Sequence, residues 1–269
     1  MSKVGVFITT HIHDSKFGNY RHGPEFGQNT LPRFKKMLSN YKNLDSGEDD
    51  TIHIMDTEST LQEFIDWIPT EDWATWKQIP NVGGGFASIK HVMHAESNLM
   101  DEFDYFLFHT DDSVYVRYSN WAKEVIEEYE ESFRETGGII GRKLETIVLG
   151  PDGLVNNGRQ CSHMAEIWNL SENTIVPHLH ADWYFMDKRT LKILSDIWYN
   201  PIHSEVAMDY QKRIENLDYR TMCMIPDNRK TLDDFHIGRE TDTALRLEHF
   251  GLGCKSYTGD KIIWGKGIE

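Results

Sequence analysis

Apolar positions along this chain follow two alternating patterns. Short unbroken apolar runs, of the kind that fill strands buried on both faces, are separated by stretches where apolar residues recur every three or four positions, as on helices that cover a sheet. VGVFITT (4–10) predicts a first strand, and LPRFKKMLSNYKNL (31–44) a helix after a long polar loop. TIHIMDT (51–57) predicts a second strand, with a helix from TLQEFIDWI (60–68). NVGGG (81–85) is a glycine-rich turn opening the helical pattern FASIKHVMHAESNLM, and DYFLFHT (104–110) is a strand of buried type.

The second half begins with SNWAKEVIEEYEESFRE (119–135), where Trp121, Val125, Tyr129 and Phe133 share one helical face and Ser119 or Asn120 stands in position to cap. Gly137 and Gly138 stop that helix, and GIIG (138–141) reads as a further strand. PDGLVNNG (151–158) is rich in turn residues. ADWYFMD (181–187) predicts a strand feeding the helix KRTLKILSDIW (188–198), and ETDTALRLEHFG (240–251) a last helix ended by Gly251. Alternating strands and helices predict an α/β fold with a mixed, mostly parallel central sheet. No repeat or low-complexity linker divides the 269 residues, so the expectation is one domain with two functional halves, 1–118 and 119–269.

Charge narrows the partners. Lys and Arg number 28 against 43 Asp and Glu, a formal charge of −15. Broad binding to nucleic acid or anionic lipid is not expected of such a chain, and an anionic substrate would need a local device such as a metal ion or a helix N-terminus. Cys161, Cys223 and Cys254 form no CxxC and no framework spacing, so neither disulfides nor a zinc knuckle is expected. The N-terminal apolar run is too short for a signal peptide and no run is long enough to span a membrane, which makes a cytoplasmic protein the expectation.

One stretch carries the chemistry. In FDYFLFHTDDSVYV (103–116) a buried-type strand ends in His109, Thr110 and two adjacent carboxylates, Asp111 and Asp112. Adjacent acids repel and resist burial, so a cation or an open loop must accommodate them. An open α/β sheet places its ligands at the C-terminal ends of its strands, where these acids fall. The alternative is an Asx-turn or a cap. The loop after the first strand holds His11, His13, Asp14, His22 and Glu25, and reads as a solvated or substrate-facing lid rather than a metal site. Ser88 stands where a GxGxxG motif needs its last glycine, so no dinucleotide fold is read. No nucleophile elbow, Walker A loop or Cys–His signature supports a hydrolase or a kinase.

Taken in order, IHIMDTES, Asn81-Val82-Gly83, FLFHTDDS, GGIIGRK, PDGLVNNG, YFMDKRTLKIL and ETDTALRLEHFG resemble the landmarks of the nucleotide-sugar glycosyltransferases of the GT-A fold, especially the inverting family two. The resemblance runs from about residue 4 to residue 254. It implies a Rossmann-like nucleotide-binding half, an acceptor-binding half, and transfer of a sugar from a nucleotide-diphosphate donor to a hydroxyl of a glycan or other acceptor. It also implies Mn²⁺ or Mg²⁺ held by Asp111 and Asp112, with His109 where the family's first acid usually stands. The late histidine that often completes the family's metal site has no counterpart in the tail GDKIIWGKGIE. Thr9, Thr10, His11, Asp56, Asn81, Gly83 and Asp111 are then the expected nucleotide-sugar-binding residues, Asp56 facing the nucleobase. Glu240 or Asp242 is the expected catalytic base. Asp182 and Trp183 are the expected acceptor residues, Trp183 reading nearly as well as a core tryptophan. Two other classes stay open: a sugar-1-phosphate nucleotidyltransferase, for which THIHDSKFGN is a poor phosphate loop, and a non-catalytic glycan- or nucleotide-binding module.

Overall fold

Val4, Val6, Phe7 and Ile8 are all fully buried, which places the first strand at the centre of a sheet covered on both faces. The computed structural model describes residues 1–12, 31–80, 87–93, 98–111, 114–149, 168–180, 183–198, 241 and 243–264. The elements are β1 (Lys3–Thr10), α1 (Leu31–Asn43), β2 (Asp49–Asp56), α2 (Gln62–Trp67), β3 (Thr75–Gln78), α3 (Ala87–Met93), α4 (Leu99–Glu102), β4 (Tyr105–Thr110), β5 (Val114–Val116), α5 (Trp121–Phe133) and β6 (Gly138–Gly141). They continue with β7 (Leu144–Val148), β8 (Ile175–Leu179), β9 (Trp183–Asp187), α6 (Lys188–Trp198), α7 (243–249), β10 (Gly253–Ser256) and β11 (Ile262–Trp264). A seven-stranded sheet has the order β10-β6-β9-β4-β1-β2-β3. Its neighbours pair in parallel except β9, which runs antiparallel to both β4 and β6. This is the expected α/β class, with a mixed and mostly parallel sheet.

The apolar stripes explain the helix placement. α1 buries Leu31, Phe34, Met37, Leu38 and Tyr41, and α5 buries Trp121, Ala122, Val125, Ile126, Tyr129 and Phe133. The two meet where Tyr41 contacts the Trp121 ring edge to face at 5.5 Å. Asn120 precedes α5 as expected, but in a left-handed conformation (φ 59°) and with no side-chain cap. The carbonyl of Ser46 instead accepts from the first α5 N–H groups, those of Ala122 and Lys123. α7 ends as read from sequence: Gly251 takes φ +73°, Leu252 N–H donates to Leu247 O and Gly251 N–H to Glu248 O, a Schellman motif.

Strand content departs from the sequence expectation. The β7–β8 ribbon, the β5–β11 pair and the edge strands β3 and β10 were not legible as strands: β3, β7 and β10 are short and half-exposed rather than apolar, and β5 and β11, though apolar, span three residues each. The helix read over 86–100 is instead α3 and α4. PDGLVNNG (151–158) lies outside the described residues. Across β6 and β10, Gly138 pairs with Gly253 beneath Phe133, and a Cβ on Gly253 would stand 2.2 Å from the Phe133 ring.

Candidate functional site

The chain leaves β1 to one side to build β2 and β3, then returns to build β4 on the other side. The C-terminal ends of β1 and β4 therefore border the switch point of the sheet, the place where open α/β sheets form their ligand crevice. Thr9, Thr10, His11, Asp56 and Asp111 all gather at this end. Asp111 N–H donates to Thr9 O, continuing the β1–β4 pairing by one residue. The Asp111 carboxylate turns back, and its Oδ2 accepts from the His11 backbone N–H at 3.1 Å. His11 Nδ1 donates to the Thr57 carbonyl, so His11 ties the ends of β1, β2 and β4 together.

The neighbouring polar groups face inward. The Asp56 carboxylate, 0% exposed, accepts from Ser59 N–H at 3.0 Å, from the Thr10 hydroxyl at 3.4 Å and from the Gln78 amide at 3.5 Å. Ser59 in turn receives the Ile12 N–H on its hydroxyl at 2.8 Å. Between them Glu58 holds φ 64°, a left-handed conformation that a non-glycine residue adopts at a cost of about 1 kcal/mol or more. The Thr9 hydroxyl donates to Ser88 Oγ at 2.7 Å, which docks the start of α3 against β1. Ser88, passed over in sequence as a failed glycine position, is the anchor of that helix.

His109 turns into the core, and Trp183 takes the core placement that its sequence left open. The His109 ring is 1% exposed, and its Nδ1 donates to the Thr110 carbonyl while Nε2 accepts from the Tyr41 hydroxyl at 2.9 Å. Burial pushes its pKa down to about 4, the Thr110 hydrogen bond opposing only in part. Both nitrogens are thus engaged inside the core, on the α1 side of the sheet, and the ring is not presented as a metal ligand. Trp183 is 2% exposed and meets Tyr257 edge to face at 5.4 Å, so it has the core placement rather than an open ring face for a sugar. Asn81, Gly83, Asp112, Asp182, Glu240 and Asp242 lie outside the described residues.

The structure also assembles a group that the sequence reading passed over. Glu145, His178 and His180 bring one ligand atom each to within 4.8 Å of one another on the β7–β8 ribbon. The signal is the His-x-His of PHLH (177–180), a spacing that His11 and His13 share; His13 lies outside the described residues.

No protein-family model matches the chain, and no curated protein matches it. Among solved structures, it is similar to a protein described as a nucleotide-diphospho-sugar transferase from Desulfovibrio desulfuricans G20, at 11% identity and TM-score 0.47, over 96% of this chain and 80% of that one. It is also similar to residues 1–349 of TarS from S. aureus, at 14% identity and TM-score 0.37, over 79% of this chain. A third is the mannosyltransferase PcManGT from Pyrobaculum calidifontis, in complex with GDP-Man and Mn²⁺, at 11% identity and TM-score 0.37, over 72% of this chain. The chain spans 55% and 46% of the latter two. With identities and TM-scores this low, none of these proteins' activities passes to this chain by likeness. Among the described residues no helix is long and apolar enough to cross a membrane.

Proposed function

We propose that this chain is a glycosyltransferase that binds a nucleotide-diphosphate sugar at the crevice between the ends of β1 and β4 and transfers the sugar to a hydroxyl acceptor. The observation that carries the reading is the Asp111 carboxylate, anchored to the His11 N–H at the switch point of a mostly parallel sheet. The order of sequence landmarks supports it. Asp111, together with Asp112, offers only carboxylate oxygens, a donor set suited to a hard divalent cation such as Mn²⁺ or Mg²⁺. Such an ion, when bound, neutralises the diphosphate as the sugar–phosphate bond breaks. His109 is left out of this set because both its nitrogens are engaged.

The residues of the chain divide the remaining work. His11 and Thr9 fix the Asp111 loop through backbone groups, and Asp56 with Ser59 ties the ends of β1 and β2 together. A carboxylate that precedes α7 in sequence, Glu240 or Asp242, removes the proton of the acceptor hydroxyl, which predicts inversion at the anomeric carbon. Incubation with UDP-, GDP- and dTDP-sugars, Mn²⁺ and a panel of hydroxyl acceptors tests the reading by release of the nucleotide diphosphate. One donor is expected to turn over, with the anomeric configuration inverted in the product. Binding of every donor without release from any would rule out the transferase.

A further inference from the structure

The β7–β8 ribbon places four polar side chains on one face. Glu145 is the direct cross-strand partner of His178, and the His180 N–H donates to Lys143 O at 3.0 Å, which continues the ladder by one pair. Side chains of direct partners and of positions two apart share a face, so Lys143, Glu145, His178 and His180 stand together. The two imidazole rings lie 4.8 Å apart between centroids, and His180 Nε2 is 2.9 Å from Glu145 Oε1. Lys143 Nζ holds the other carboxylate oxygen, Oε2.

We propose that Glu145, His178 and His180 form a binding site for a borderline divalent metal ion of the Zn²⁺ class, built from residues other than Asp111 and Asp112. The donor set, two imidazoles and one carboxylate, is a nitrogen-rich one that zinc and its neighbours take and that Mg²⁺ and Ca²⁺, as hard oxygen-seeking ions, do not. In a tetrahedral site with metal–ligand distances of about 2.0–2.2 Å, the donor atoms stand roughly 3.4 Å apart. The three donors here span separations from 2.9 Å to no more than 4.8 Å, so side-chain rotation of about 1 Å is enough to close on an ion.

Two features prepare the site. His178 is buried, and its Nδ1 lies 3.0 Å from the hydroxyl of Thr241, an outer partner of the kind that holds the ring of a metal-bound histidine in place. Glu145 and His180 keep 33% and 26% of their side chains exposed, which leaves a path for the ion. Because Thr241 lies between Glu240 and Asp242 in sequence, an ion here ties the ribbon to the start of the last helix. The inference stands on the ribbon alone and does not depend on the nucleotide-sugar reading.

Calorimetric titration of the tag-free, chelator-treated full chain with ZnCl₂ and with MgCl₂, no nucleotide present, tests it. One equivalent of Zn²⁺ is expected to bind in the micromolar range or tighter, and any Mg²⁺ heat is expected to be unchanged in His180→Ala. His180→Ala and Glu145→Gln are each expected to weaken binding at least 10-fold, and Asp111→Asn to leave it unchanged. Absence of Zn²⁺ binding, variants that bind as tightly as the parent, or loss of binding only in Asp111→Asn would each overturn the site. If a variant fails to fold, Co²⁺ added to the unaltered protein decides: a visible spectrum of four-coordinate nitrogen and oxygen ligation supports the site, and the spectrum of aqueous Co²⁺ overturns it.

Discussion

Asp111 Oδ2 accepts the backbone N–H of His11 at 3.1 Å, across the point where β1 and β4 part. The carboxylate is thereby fixed before any ligand arrives, by a backbone group that no side-chain substitution at position 11 except proline removes. Asp111→Asn keeps an oxygen for that N–H while deleting the charge. It is expected to lower metal-dependent nucleotide affinity by ~10-fold or more with the melting temperature within about 2 °C of the parent, because the deleted charge acts on the ligand rather than on the fold. Parallel calorimetry and melting of the two proteins checks both halves.

Tyr41→Phe tests the placement of His109. The substitution keeps the ring packing on His109 and Trp121 but removes the hydroxyl that donates to Nε2. A buried acceptor left without its partner is expected to cost about 1–3 kcal/mol in urea unfolding. An unchanged unfolding midpoint would mean that His109 does not depend on Tyr41.

Acid sensitivity follows from two buried histidines. Burial pushes His53 and His109 each from 6.5 down to about 4. Above pH 6.5 both are neutral in the folded and unfolded chain; between pH 6.5 and 4 only the unfolded chain takes up these protons. Stability therefore falls as pH drops through that window, by up to about 3 kcal/mol for each histidine, and the loss levels off below it. His53 stacks on Phe7 at 4.7 Å and, among the described residues, its Nε2 has no hydrogen-bond partner, so His53→Phe is expected to keep the fold and flatten the slope. Melting temperatures from pH 7.5 to pH 4 on both proteins measure it, and parallel slopes would contradict it.

The close approach of β6 and β10 predicts a coupled pair. Gly253→Ala puts a methyl group into the Phe133 ring and is expected to cost about 1–3 kcal/mol. In a Phe133→Leu background the same change is expected to cost less than half as much, since the smaller side chain yields the space. Additive losses in a double-mutant cycle would show that the strain lies in the backbone instead.

The fold was legible where burial is complete. β1, β4 and β9 are covered on both faces and so read as apolar runs, and the α1 and α5 stripes repeat at helical spacing because one face of each meets the sheet. β3, β7 and β10 were not legible, because an edge or ribbon strand alternates polar and apolar residues over too few positions to stand out. At the crevice, Asp56 and Asp111 could be placed from the ends of their strands. The inward turn of His109 could not, because it depends on Tyr41, 68 residues away in sequence. The grouping of Glu145 with His178 and His180 was hidden for the same reason, since it follows from the register of two strands and not from local spacing.

The central claim is that the β1–β4 crevice holds a nucleotide diphosphate through Asp111. Thermal melting of the parent and of Asp111→Asn with UDP, GDP, dTDP and CMP, each with and without Mn²⁺, tests it most directly. A ligand at about 100 times its dissociation constant adds ~2.7 kcal/mol, which raises the melting temperature by roughly 5 °C or more in a chain of this size. The account predicts such a rise for one nucleoside diphosphate, dependent on Mn²⁺ and lost in Asp111→Asn. No rise with any nucleotide, or a rise equal in both proteins, would contradict it.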